Sequence, residues 1–302
     1  MNEPPRGRSR ARALLLVALA AALALAACED EATVGEALPE TPMDGEPGFG
    51  HVHGLGRNPA DGHWYAATHF GLWRLEEDGS AERVGDHHLD LMGFAVAGED
   101  HFVASGHPPM VDDIPPHLGL IETTDAGETW VSRSLLGEAD FHALAVADGH
   151  LVGFDATDAR LLRSPDGEQW SELGSTDVLD VAVDPGDREH LVAVKGGYGA
   201  DGVTVEGLAA SRDGGQSFAP LDGPALVRLD WHEADRLVGA NETGEVWVSR
   251  DGGDEWERVG ALPGPPEALA DAGDELAAAA DGIVWRSVDG GRSWQPQLRY
   301  HE

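Results

Sequence analysis

The chain has 302 residues, with 55 acidic against 20 basic side chains, a formal charge of −35 and a single cysteine. So negative a surface repels nucleic acid and anionic lipid head groups and suits cations, which excludes nucleic acid as a partner. One cysteine rules out an intramolecular disulfide and a thiol-rich metal site.

Arg6, Arg8, Arg10 and Arg12 precede an unbroken apolar run from Ala13 to Ala27. The run is short for a membrane span and has the layout of a signal-peptide core, giving residues 1–27 as signal peptide. It ends Leu25-Ala26-Ala27-Cys28, which resembles the lipobox of bacterial lipoproteins. That resemblance implies cleavage before Cys28, lipidation of Cys28, and an extracytoplasmic protein anchored to a bacterial membrane. Cleavage removes one acid and four arginines, leaving 54 acidic and 16 basic residues. Residues 28–48 are acidic with scattered Pro and Gly and no apolar period, the composition of a flexible tether.

From residue 49 the chain alternates short apolar strands with Gly/Asp turns, and helical signal is nearly absent. Six units follow, at 50–86, 88–137, 140–174, 177–221, 225–260 and 265–300. The Ala-rich stretch 274–280 reads as a second strand from its place in the repeat. A Ser/Thr-x-Asp-x-Gly-x-x-Trp pattern recurs at Asp125, Asp251 and Asp289, with a copy one residue shorter at Asp166 and one ending in Phe218 at Asp213, the five spaced 41, 47, 38 and 38 residues apart. Glu77-Asp78-Gly79-Ser80 is a worn first copy. In such a turn the Asp accepts backbone N–H groups, Gly supplies positive φ, and the Trp buries a large apolar surface. A strand-built repeat of this length means an all-β propeller with one four-stranded sheet per blade, here a six-bladed β-propeller over 49–302.

These turns resemble the Asp-box (BNR) repeat of sialidases, sortilins and related propellers. The resemblance implies that the five turns join the third and fourth strands of their blades and serve structure, not catalysis.

Propeller topology sorts the fourteen histidines onto two rims. His63, His101, His150, His190 and His232 fall beside strand-one-to-two turns, on the rim of the Asp turns, and His301 is in the tail. His51, His53, His69, His87, His88, His107, His117 and His142 fall in blades one to three near the opposite rim. Met92, Met110, Asp90, Asp140 and Asp155 share that sector. His51 and His53, two apart on an innermost strand, share a face. Imidazoles converging with carboxylates make a first-row transition-metal site, and thioethers tilt the choice between copper and zinc toward copper. The expected metal ligands are His51, His53, His69, His107 and His142, with Asp90, Met92, His117, Asp140 and Asp155 as further rim residues. Two long loops on this rim, 106–117 and 196–207, read as binding elements.

Segments such as His51-Val52-His53-Gly54-Leu55 and Asp140-Phe141-His142-Ala143-Leu144 resemble bacterial BNR-repeat lipoproteins labelled glycosyl hydrolases or exo-sialidases. That label implies an arginine triad, a Tyr nucleophile and an Asp acid. The Arg-Ile-Pro motif is missing, Asp113-Ile114-Pro115 being the nearest string, and only Tyr65, Tyr198 and Tyr300 exist. Arg228 is the one arginine placed to face the channel. Three readings stand: a non-catalytic propeller binding a metal or a partner through its His-rich rim, a glycoside hydrolase using Asp155 with Asp140 or Asp90, and an assembly factor for a membrane complex. The propeller is expected to be monomeric, with a protein or a glycan as the open alternatives for its ligand.

Overall fold

A computed structural model of the chain describes residues 33–41, 43, 48–109, 114–173, 177–199 and 202–300. The expected signal peptide, Cys28, Met110 and His301 lie outside the described residues. Those described form strands and turns and no helix.

Blade one comprises β1 (Val52–Arg57), β2 (Trp64–Thr68), β3 (Gly71–Leu75) and β4 (Ala81–Arg83). Blade two has β5 (Asp90–Gly98), β6 (His101–His107), β7 (Leu120–Thr123) and β8 (Val131–Ser134). Blade three has β9 (Phe141–Ala147), β10 (His150–Asp155), β11 (Arg160–Ser164) and β12 (Ser171–Glu172). Blade four has β13 (Val178–Asp184), β14 (Asp187–Gly199), β15 (Gly202–Ser211) and β16 (Ala219–Leu221). Blade five has β17 (Leu226–Glu233), β18 (Arg236–Asn241), β19 (Glu245–Ser249) and β20 (Glu257–Ala261). Blade six has β21 (Pro266–Asp271), β22 (Leu276–Ala280), β23 (Ile283–Ser287) and β24 (Gln295–Arg299). Each blade is an antiparallel meander whose strands pair in sequence order, so the fold is the six-bladed propeller that the repeat predicts.

The core is divided among the gaps between blades. Leu72 and Val84 of blade one pack with Leu91, Phe102 and Trp130 of blade two, and similar clusters fill the other gaps. The last gap joins Val52, Leu55 and Trp64 to Ala268, Ala270, Ala277 and Ala279 of blade six. The alanines of β22 are fully buried, so packing between two neighbouring sheets overrides their helical preference.

The Ser/Thr-x-Asp turns join the third and fourth strands of blades two to six. In blade five the Ser249 hydroxyl donates to Asp251 at 2.9 Å and accepts the Gly253 N–H at 2.7 Å. Asp251 accepts the Glu255 N–H at 2.9 Å. The turn glycines have positive φ, 98° at Gly253 and 85° at Gly291, and each presses on the preceding blade. A Cβ on Gly253 would lie 3.0 Å from Leu221 Cδ2, and one on Gly291 would lie 3.1 Å from Val246 Cγ1. Glycine is thus required both for conformation and for close approach.

Two expectations need correction. Residues 33–41, read as part of a flexible tether, form a strap along blade two. Gly35 and Leu38 donate their N–H groups to the Ser132 and Trp130 carbonyls at 2.6 and 2.7 Å, and Ser132 returns one to Glu36 at 3.0 Å. The edge strand β8 has free backbone groups to pair, and Leu38, only 5% exposed, reaches the core between blades one and two. The described residues of the blade-four segment, 196–199 and 202–207, are likewise paired and not an irregular loop. They extend β14 and β15 as an antiparallel pair, with Gly196 opposite Val205 and Tyr198 opposite Val203.

Candidate metal centre

Every innermost strand carries a register shift at the same place. It falls between Val52 and Gly54, Leu91 and Gly93, Val178 and Asp180, Leu226 and Arg228, and Pro266 and Ala268. In blade three the partner strand steps from Ala143 to Phe141. A bulge leaves its extra residue unpaired and re-aims its side chain. The six bulged residues are His53, Met92, His142, Leu179, Val227 and Glu267. All but Val227 line a central cavity of about 720 Å³, so the sector of blades one to three presents imidazole, thioether and imidazole.

Two tight groups of donors stand on this rim. Asp90 opens β5, with His53 Nε2 3.3 Å from its Oδ1 and His69 Nδ1 3.0 Å from its Oδ2. Asp140, immediately before β9, receives His142 Nε2 at 2.8 Å and His107 Nε2 at 3.1 Å on one oxygen. In each group the donor atoms lie within 4.8 Å of one another, and either group could hold a metal ion. His53 Nε2 and Asp90 Oδ1 are buried without a hydrogen-bond partner despite their closeness, as is Asp140 Oδ1. Buried polar atoms left this way are costly unless something else engages them.

The second group is oriented from behind. His107 Nδ1 lies 3.2 Å from the Pro116 carbonyl, which fixes the Nδ1–H tautomer and presents Nε2 to Asp140. Asp155 is fully buried and holds the Asp140 N–H at 3.0 Å and Arg160 Nε at 2.9 Å. The hydrogen bond that His107 donates to Asp140 pushes the imidazole up to about 9, against the opposing effect of burial. Burial alone would raise Asp140, yet the hydrogen bonds from His107 and His142 outweigh it and hold its carboxyl below the usual range. At neutral pH this group therefore holds a proton on His107.

Four of the five expected ligands, His53, His69, His107 and His142, fall in the two groups with Asp90 and Asp140. His51 does not: its side chain is 66% exposed and leans toward Glu267 at 3.7 Å. His117 lies tilted beside His107, ring centres 5.8 Å apart. Met92 lines the cavity between the two groups. Asp155 joins neither group, its oxygens holding the Asp140 and Thr157 N–H groups and Arg160. His87 and His88 are buried beneath the strap, where His88 Nδ1 lies 2.8 Å from the Thr41 carbonyl.

The opposite side of the cavity carries charge that composition alone did not reveal. Asp180 accepts the Leu229 N–H at 2.9 Å and Asp230 the Asp271 N–H at 2.6 Å, each bond crossing to the next blade. Glu267 accepts the Val52 N–H at 3.1 Å and the Tyr300 hydroxyl at 2.9 Å. Burial pushes Asp180 up to about 6 and Asp230 up to about 7. Arg228 donates to the Tyr198 hydroxyl and the Glu267 carbonyl. The clue to these acids was their place one residue after, at, or three residues after a bulge, visible only once the strands are in register.

No protein-family model matches the sequence, and comparison with curated proteins finds no match. Solved structures resemble the fold. A gluconolactonase of Xanthomonas campestris superposes with a TM-score of 0.60 at 16% identity, covering 83% of this chain and 97% of its own. A GH74 xyloglucanase of the same organism gives 0.52 at 18% identity over 82% of this chain. The chain spans only 45% of that enzyme's length. Virginiamycin B lyase from Staphylococcus aureus gives 0.54 at 10% identity, covering 82% of this chain and 83% of its own. At such identities the likeness is one of fold: this chain is a β-propeller with enzymes among its structural neighbours.

Proposed function

We propose that this chain is a lipid-anchored, extracytoplasmic propeller that binds a first-row transition metal, copper or zinc, through the rim of blades one to three. The observation that carries the reading is the pair of 2-His-1-carboxylate groups, with buried donor atoms left without hydrogen bonds. Met92 between them adds a soft thioether and favours copper. A hydrolase built on Asp155 lacks support, because both Asp155 oxygens are engaged by Asp140, Thr157 and Arg160.

The test is metal content of the whole chain, purified in detergent without a histidine tag after dialysis against copper or zinc. Cys28→Ser keeps a free thiol out of the measurement. Bound metal is expected in the parent and should be lost in the His53→Ala/His142→Ala variant, which removes one imidazole from each group. A parent that emerges metal-free under all loadings refutes the reading.

A further inference from the structure

The two groups are more than two copies of one motif on a common rim. Asp90 of the first and His107 of the second face each other as partners in the β5–β6 ladder. Directly opposed residues of an antiparallel pair carry their Cβ atoms roughly 4.5–5.5 Å apart. His107 feels the Asp90 charge, and its ring centre lies 6.3 Å from that of His142. The backbone is built for this closeness. Gly106, with φ of 145°, lies so near the Asp90 carbonyl that no side chain fits there. On the other flank a Cβ on Gly93 would lie 2.5 Å from the Phe141 carbonyl oxygen, which draws β5 against β9 just beside Asp140.

Each group supplies two imidazoles and one carboxylate, a donor set that leaves coordination positions open. One imidazole of each group, His53 and His142, lines the cavity together with Met92, from equivalent bulges in three successive blades. Resting on the metal-site reading above, we propose that the rim is a paired centre: two divalent transition-metal ions in adjacent seats, one on His53, His69 and Asp90, the other on His107, His142 and Asp140. Both open faces meet in the cavity, so the pair takes an exogenous oxygen ligand between them, a water-derived hydroxide or a small oxyanion. Two carboxylates offset only half the charge of two divalent ions, which is why an anionic bridge is called for. The same repulsion makes the second ion bind more weakly than the first.

Stoichiometry and magnetism test this in the whole chain carrying Cys28→Ser. Zinc titration with equilibrium dialysis should show two equivalents, the second at least tenfold weaker. His53→Ala/His69→Ala and His107→Ala/His142→Ala should each retain one. Loaded with two equivalents of copper(II), the parent should show less resonance intensity than its copper content, because the two spins couple, and each one-seat variant should show full intensity. Saturation at one equivalent overturns the pair while leaving the metal-site reading intact. Two equivalents with full, additive copper signals overturn it as well, since the seats would then be independent. Absence of any metal refutes the metal-site reading itself. The parent's stoichiometry and spin intensity decide the matter even where a variant fails to fold.

Discussion

Asp230 illustrates how a single carboxyl can be set by its place in the ring. Burial raises it most, Asp271 across the blade boundary and Asp180 on the other side add repulsion, and N–H groups of Asp271 and Trp231 oppose them. Its folded value of about 7 lies far above the ordinary unfolded value of about 3.9. Between those values the folded chain holds a proton that the unfolded chain releases, so stability falls as pH rises from about 4 to about 7. Asp180 adds to the loss up to about pH 6. Asp230→Asn keeps an oxygen for the Asp271 N–H but cannot ionise. It should raise the melting temperature at about pH 8, leave it unchanged near pH 4, and flatten the slope between, as thermal unfolding across that range would show.

At the scale of the element, the turn after each third strand is a self-contained hydrogen-bonded unit. Ser249→Ala removes the acceptor of the buried Gly253 N–H and one bond to Asp251. The expected loss is about 1–3 kcal/mol, read from urea unfolding. Ser211→Ala should behave alike, because Ser211 makes the same two bonds to Asp213 and Gly215. This local chemistry is why the turns and the six units were legible in the sequence: each residue's partner lies within four positions. The bulges were not legible, since they show only when two strands are in register. The strap was not legible either. Its composition is that of a solvated linker, and Leu38 gains meaning only against Trp130, 92 residues away. The candidate site was legible as a histidine-rich sector but not as two groups. What sorted His53 and His69 with Asp90, and set His51, His87 and His88 aside, was the pairing of strands and the burial under the strap.

Across the whole molecule, stability is shared by gaps between wedges, and among the described residues no strand of blade one completes blade six. The ring closes by side chains. Glu267 bridges to the Val52 N–H, Phe49 stacks on Tyr300 at 5.4 Å, and Arg57 and Arg286 pair with Asp274 and Glu77 across the seam. The strap fastens a different gap, between blades one and two. Leu38→Ala should therefore destabilise the whole ring by about 2–4 kcal/mol, measured by denaturant unfolding. A transition as cooperative as the parent's is the expected outcome. A chain cut to begin after residue 41 should lose more, since it forfeits the backbone bonds to β8 as well.

The strap also decides where a pull is felt. With the chain held at Cys28 as proposed, drag on the propeller is carried first by residues 33–41, which hand it to the rim of blade two. β1, which bears His53, begins only beyond that fastening. The docked segment thus works like the clamp on an electrical cord, taking tension before it reaches the terminals.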